Sequence, residues 1–189
     1  MSGGGFYAHP LALVESEQVG AGTRVWAWAH VMEGARLGSD CNVGEHCFIE
    51  RGASLGDRVT VKNGVAVWEG VIAEDDVFIG PGAVLTNDLH PRSRAEGFTP
   101  TPTHLRKGCS IGANATILAG VSVGRYALVG AGAVVTADVP DFGLVTGNPG
   151  RLQGHVCACG RPLDFAHEAA GCSCGRTYER ADGLVAEVG

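Results

Sequence analysis

The sequence predicts an all-β fold in which short parallel strands wind, coil upon coil, into a three-sided prism. Three observations predict it. Apolar residues recur with an uninterrupted period of six, a companion register of small side chains runs four residues behind, and 30 glycines in 189 residues recur between the two. Helical spacing and simple strand alternation do not give a period of six, whereas a fixed short period marks a repeat architecture.

The first register reads Leu13, Val19, Val25, Val31, Leu37, Val43, Ile49, Leu55, Val61, Val67, Ala73, Ile79 and Leu85. The companion reads Thr23, Ala29, Ala35, Cys41, Cys47, Ala53, Val59, Val65, Val71, Val77 and Ala83. Each six-residue unit supplies one short flat strand and one turn, and three units close a triangular coil. Aliphatic side chains then point inward and stack on their equivalents one coil away, small side chains fill the space beside them, and Gly permits the turns. Stacked coils leave only the two ends as open edges. On this reading Cys41, Cys47 and Cys109 are core residues.

After Leu85 the pattern breaks. It resumes out of phase at Ile111, Ile117, Val123, Val129 and Val135, with Ala115, Val121, Ala127, Ala133 and Val139 beside them. A segment of about 87–108 is therefore expected to loop out, and Thr-Pro-Thr-Pro-Thr at 99–103 makes it extended. A long loop on a rigid repeat scaffold is where function concentrates.

A formal net charge of −6 without a dense Lys or Arg run speaks against a nucleic-acid partner. The start lacks a basic, then apolar, leader, and no stretch is long and apolar enough for a membrane span. A cytoplasmic protein with reduced cysteines is expected.

Composition changes after Arg151. The tail holds VCACGRPL and GCSCGRTY, two Cys-x-Cys-Gly hooks comprising Cys157, Cys159, Cys172 and Cys174. Four thiolates in two hooks suit one tetrahedral structural Zn2+; unligated thiols or a disulfide are the alternatives. His155 and His167 could substitute as ligands. The chain divides into a prism at 7–152 and a small zinc-ribbon-like tail at 153–189.

RVWAWAHVMEGARLG at 24–38, EDDVFIGPGAVLTNDLHPRS at 74–93, PTHLRKGCSIGANATILAG at 102–120, then VGAGAVVTADVP and TGNPGR, carry a resemblance. Over roughly 7–152 the chain resembles the hexapeptide-repeat acyltransferases, and among them the N-acetyltransferases of nucleotide-linked 3-amino sugars. The resemblance implies a left-handed parallel β-helix, a homotrimer, acetyl-CoA or another acyl-CoA as co-substrate, and a small amino-sugar acceptor on UDP or dTDP. Two positions depart from the family pattern: Ala137 where Lys is frequent, and His90 where Asn is frequent.

The resemblance implies a site beside the loop, between subunits. Asn87 matches the loop Asn expected to hold the amine or the thioester oxygen. His90 is a candidate base, because imidazole titrates near neutrality. Trp26, Trp28 and Trp68, all outside the inward register, are candidates to stack on the nucleotide base, with His30 and Asn63 as its hydrogen-bonding neighbours. The acyl-CoA is expected along the C-terminal coils, with the backbone of Gly130 and Ala131 along the pantetheine arm and Thr136 and Arg151 near its nucleotide end. His46 is expected on a solvated face. The competing readings are acylation of another small metabolite, at O or N, and a non-catalytic scaffold. A metal-dependent hydratase on this fold would need three converging His ligands, and His30, His46, His90 and His104 lack the close pair that such a family carries.

Overall fold

The computed structural model describes residues 5–94 and 96–188. Three ladders of ten, seven and five strands form the faces of a prism, and a three-stranded antiparallel sheet stands at its C-terminal end. On the first face Val25 lies beside Val43, Val43 beside Val61, and Val61 beside Ile79, so one coil takes three of the repeating units. The second face stacks Val31, Ile49 and Val67, and the third stacks Leu37, Leu55 and Ala73. All are buried and form one continuous core with the small companion residues. Each such Val, Leu or Ile contributes about 1.5–3 kcal/mol relative to exposure, and the sum is what orders strands of mostly two residues.

Two expectations need correction. Leu13 is not inward: it is half exposed, and Val14 stacks on Val31 in its place. The first coil is one residue short, which moves the register by one. The loop is also shorter than 87–108. Thr103–Leu105 already pairs with Val71–Ala73 on the third face, so only the stretch between Thr86 and Thr103 leaves the prism. Ala73 is followed on its face by Leu105, a step much longer than one coil and not a whole number of repeat units, which explains the change of phase.

Most corners turn through one residue in the left-handed backbone region. Between the third and first faces these are Gly22, Asp40, Arg58, Asp76, Gly108, Tyr126 and Phe142. Between the first and second they are Trp28, His46, Gly64, Gly82, Asn114 and Gly132. At the third corner, between the second and third faces, they are Gly34, Gly52, Gly70 and Gly120. Glycine there has a second reason. A Cβ on Gly70 would meet Pro100 Cβ at 3.2 Å, and one on Gly120 would meet Thr101 Cγ2 at 3.2 Å. The returning arm of the loop lies across this corner.

The C-terminal end is closed differently. Gly143–Thr146 continues the first face in parallel, and Arg151–Val156 then turns back antiparallel against it. A small second core of Phe142, Cys157, Leu163, Ala170, Tyr178 and Val185 joins the last coil to the tail.

Candidate active site and metal centre

The loop springs from the third corner at the point where a corner Gly is due. Thr86 Oγ1 accepts the Ala119 amide at 2.8 Å and anchors the departing strand. Asn87 closes the loop base: its carbonyl accepts the Thr101 N–H at 2.8 Å, and its Nδ2 donates to the Glu69 carbonyl at 3.1 Å. The Thr103 N–H then donates to the Gly70 carbonyl at 3.1 Å. Among the described residues Asn87 Oδ1 is left free to accept. His90 follows on an exposed turn whose backbone N–H donates to Asp88 Oδ1 at 2.8 Å. Its imidazole makes no hydrogen bond among the described residues. The apolar side chains of Leu89 and Phe98 are exposed on the same loop.

The three tryptophans do not form one pocket. Trp26 and Trp28 occupy the corner between the first and second faces, and Trp68 ends the second face beside the third corner. Trp28 is 54% exposed and stacks on His46, with ring centroids 4.9 Å apart and planes 12° from parallel. It is a bulky residue at φ 58°, a conformation normally left to Gly, Asn or Asp. Trp26 donates from Nε1 to Asn42 Oδ1 at 2.9 Å and packs edge-on against Tyr7. Asn63 lies on the same corner two coils below Ala27, against Gly44, and is exposed. Trp68 is half-buried against the core and tilted against Phe48, which also meets the His30 ring. His30 Nε2 is 3.0 Å from Glu15 Oε2, and this contact holds the Glu15 carboxyl below the usual carboxylate range. His46 is exposed, as expected. His30, His46, His90 and His104 stand on the second face, a corner, the loop and the third face, so no three converge.

On the acyl-donor side Gly130 follows Val129 at the end of a first-face strand. Its N–H donates to the Val145 carbonyl at 2.8 Å and its carbonyl accepts the Ala133 N–H at 3.2 Å, which leaves the second lone pair of that carbonyl able to accept. A Cβ there would meet Thr146 Cγ2 at 2.8 Å; the glycine serves coil-to-coil packing. Ala131 and Thr136 are exposed. Arg151 is exposed, with its guanidinium on the Gly150 carbonyl at 2.9 Å. Gly132 lies five coils below Trp28 on one corner, roughly 24 Å at strand spacing.

Cys41, Cys47 and Cys109 are buried, as the register required, and burial pushes the Cys109 thiol up to about 12. They are not nucleophiles. The four tail cysteines converge: their Sγ atoms all lie within 4.8 Å of one another, and His155 and His167 are not part of the group. The backbone amide of Arg176 leads the contacts that pull the Cys174 thiol down to about 6. Four soft thiols at mutual van der Waals distance, without S–S bonds, fit a Zn2+ site. The sequence reading missed Tyr178, whose hydroxyl donates to Cys157 Sγ at 3.2 Å. A Tyr shortly after the second hook was the one available signal. It also missed Glu69 as the partner of Asn87, since this contact spans one coil.

Residues 102–137 match the family model "Bacterial transferase hexapeptide (six repeats)", and residues 34–69 match "Hexapeptide repeat of succinyl-transferase". The chain is 47% identical over 185 residues to the dTDP-3-amino-3,6-dideoxy-alpha-D-galactopyranose 3-N-acetyltransferase of Aneurinibacillus thermoaerophilus, covering 96% of this chain and 95% of that one. It is 31% identical over 134 residues to the bifunctional protein GlmU of Thermosynechococcus vestitus, which is 71% of this chain but 28% of that protein. The UDP-N-acetylglucosamine acyltransferase of Francisella novicida shares the fold, with a TM-score of 0.60 at 14% identity over 78% of this chain and 70% of that one.

Proposed function

We infer the reaction from kinship and geometry together: the chain belongs to the hexapeptide-repeat acyltransferases, whose fold is a left-handed parallel β-helix, and it is an acyl-CoA-dependent N-acyltransferase for a nucleotide-linked amino sugar. One observation carries this, the 47% identity that runs almost end to end with an N-acetyltransferase of a dTDP-linked 3-amino sugar. The acceptor class that follows is a dTDP-linked 3-amino-3,6-dideoxyhexose, and the acyl group is acetyl.

In this reading the neutral sugar amine attacks the thioester carbonyl carbon. A C–N bond forms, the C–S bond breaks, and the proton lost by nitrogen goes to His90 or to the departing thiolate. Asn87 is held by Glu69 and Thr101, so its free Oδ1 is presented in a fixed direction at the loop base and can accept from the amine. Trp28, stacked on His46, presents an aromatic face for the thymine base, with Trp26 and Asn63 on the same corner. His30 and Trp68 lie along the second face between that corner and Asn87. Gly130, Ala131, Thr136 and Arg151 are the acyl-CoA contacts, Gly130 through its backbone carbonyl. Trp28 and Asn87 stand on different corners of one prism, which supports a homotrimer with each site completed by a neighbouring subunit.

The body acting on these substrates is 7–152 and the tail is 153–189. The tail cysteines hold a structural Zn2+, and reduced thiolates together with acyl-CoA support a cytoplasmic location. Free-thiol release from acetyl-CoA, with dTDP- and UDP-linked 3-amino and 4-amino sugars compared, tests the reading. Turnover with a dTDP-linked 3-amino sugar is expected. Absence of turnover together with absence of CoA binding by calorimetry overturns it in favour of a scaffold.

A further inference from the structure

None of the acyl-transfer residues proposed above lies in the tail, yet it is built with more internal order than a disordered extension needs. Its two hooks are the same structure made twice. The Cys157 N–H donates to the Arg161 carbonyl and the Gly160 N–H to the Cys157 carbonyl, at 2.8 and 2.7 Å; Cys172, Arg176 and Gly175 repeat both bonds at 2.9 Å. Each turn passes through a glycine in the left-handed region, Gly160 at φ 84° and Gly175 at φ 94°. The hooks face one another, with Cys157 and Cys174 Sγ 3.4 Å apart and Cys159 and Cys172 Sγ 3.6 Å apart. A disulfide needs about 2.05 Å, whereas sulfurs around a tetrahedral Zn2+ at about 2.3 Å stand roughly 3.8 Å apart. Donors already point at the sulfurs: the Cys159 N–H at Cys157 Sγ and Arg176 Nη1 at Cys174 Sγ, both 3.4 Å.

We propose that this metal knuckle is the lock of a C-terminal cap, and that the lock reaches the β-helix through Tyr178. The Tyr178 ring is 1% exposed. It meets Phe142 edge-on at 5.3 Å, and Phe142 stacks on Tyr126 at 5.5 Å. Those two are the last residues of one corner column, so the column of the prism continues directly into the tail. The Tyr178 hydroxyl accepts the Ala158 N–H at 3.0 Å while donating to Cys157 Sγ. A proposed ligand and the last coil thus share one side chain. The apolar contribution of the tail itself is small: Cys157, Leu163, Ala170, Tyr178 and Val185, with Phe142 from the prism. Units below about 40 residues rarely fold on so little without a metal or disulfides. Without the cap, the first face ends in an open strand with unpaired N–H and C=O groups, the template for edge-to-edge pairing. With it, Arg151–Val156 covers that edge antiparallel, and the Val156 N–H donates to the Phe142 carbonyl at 2.7 Å.

The test uses the full-length protein. Elemental analysis of protein purified without chelators is expected to give one zinc per chain. Hydrogen exchange is then followed before and after removal of metal by a strong chelator under reducing conditions. Protection of the Val156 and Gly130 amides is expected to fall 100-fold or more, while Thr60 and Lys62 in the central coils stay as they were. Tyr178→Phe keeps the ring packing and removes only the hydroxyl. It is expected to hold zinc about tenfold more weakly in competition with a chromophoric chelator, in the range typical of groups that support metal ligands. Metal-free native protein, mapped Cys157–Cys174 and Cys159–Cys172 disulfides, unchanged protection after chelation, or wild-type affinity in Tyr178→Phe would each overturn the proposal. None of these readouts depends on acyl transfer.

Discussion

Replacing Asn87 by Ala separates positioning from folding. The substitution deletes the Nδ2–H bond to the Glu69 carbonyl at 3.1 Å and leaves the backbone bond from the Thr101 N–H intact, because that bond uses the Asn87 carbonyl. One net hydrogen bond at a half-buried site is worth about 0.5–1.5 kcal/mol. In a chain of this size that lowers Tm by roughly 2–4 °C per kcal/mol. Loss of a group that orients the reacting atoms or the thioester oxygen costs far more in rate, about 10²–10³ in kcat. The expected result is therefore a Tm within a few degrees of wild type and kcat reduced at least 100-fold, with KM for acetyl-CoA little changed. Thiol-release kinetics and a thermal melt measure both. Wild-type kcat with a lowered Tm would show that Asn87 only shapes the turn, and the catalytic assignment would then be wrong.

Three further outcomes follow from the same structure. His90→Ala is expected to lower kcat about 10²-fold and flatten the acidic limb of the pH–rate profile if the imidazole takes the amine proton; an unchanged profile assigns that proton to the thiolate. Trp28→Gly relieves a strained φ of 58° and loses the stack on His46, two effects of about 1 kcal/mol and opposite sign. Its Tm is expected to stay within a few degrees while KM for the nucleotide sugar rises roughly 5–150-fold, the range of one base–aromatic stack; a lost trimer with unchanged KM, seen by sedimentation, would show that the ring serves a subunit contact instead. Asp76 takes two bonds from Arg58, at 2.6 and 3.0 Å, and that contact holds its carboxyl below the usual range. A depressed folded-state pKa stabilises above the unfolded value, near pH 4, and the contribution is lost as pH falls through the folded value. Asp76→Asn is thus expected to lower Tm slightly at pH 7 and not at all at the acid end, small throughout because the pair is solvent-exposed; a deficit that grows toward acid would reverse the assignment.

The prism was legible because its information is redundant: every inward residue is restated one coil on, so no single residue decides the fold. The errors fall where that redundancy stops. Leu13 and Val14 are both apolar, and only the pairing of Val14 with Val31, one residue short of a full coil, tells which faces inward. The loop boundary was readable in part, since Leu105 precedes Ile111 by one repeat unit; the Thr-Pro repeat masked it. Counting by coils also separates Trp68 from Trp26, because it lies two coils and one face further along. The close packing of Gly130 on the next coil could not be read this way. Its acceptor, Val145, pairs with Val129 in a final coil that is shorter than the others and so outside the period. Site chemistry follows the same division. Asn87 stands out because it comes directly before the point where the corner column of glycines is interrupted, at Asp88, and the cysteine hooks because their spacing is repeated. Tyr178 is silent in sequence because its contacts with Cys157 and Phe142 exist only once the tail has folded back on the last coil. A periodic scaffold therefore shows its departures plainly and hides the tertiary contacts that those departures make, and in this chain the metal cap depends on such a contact.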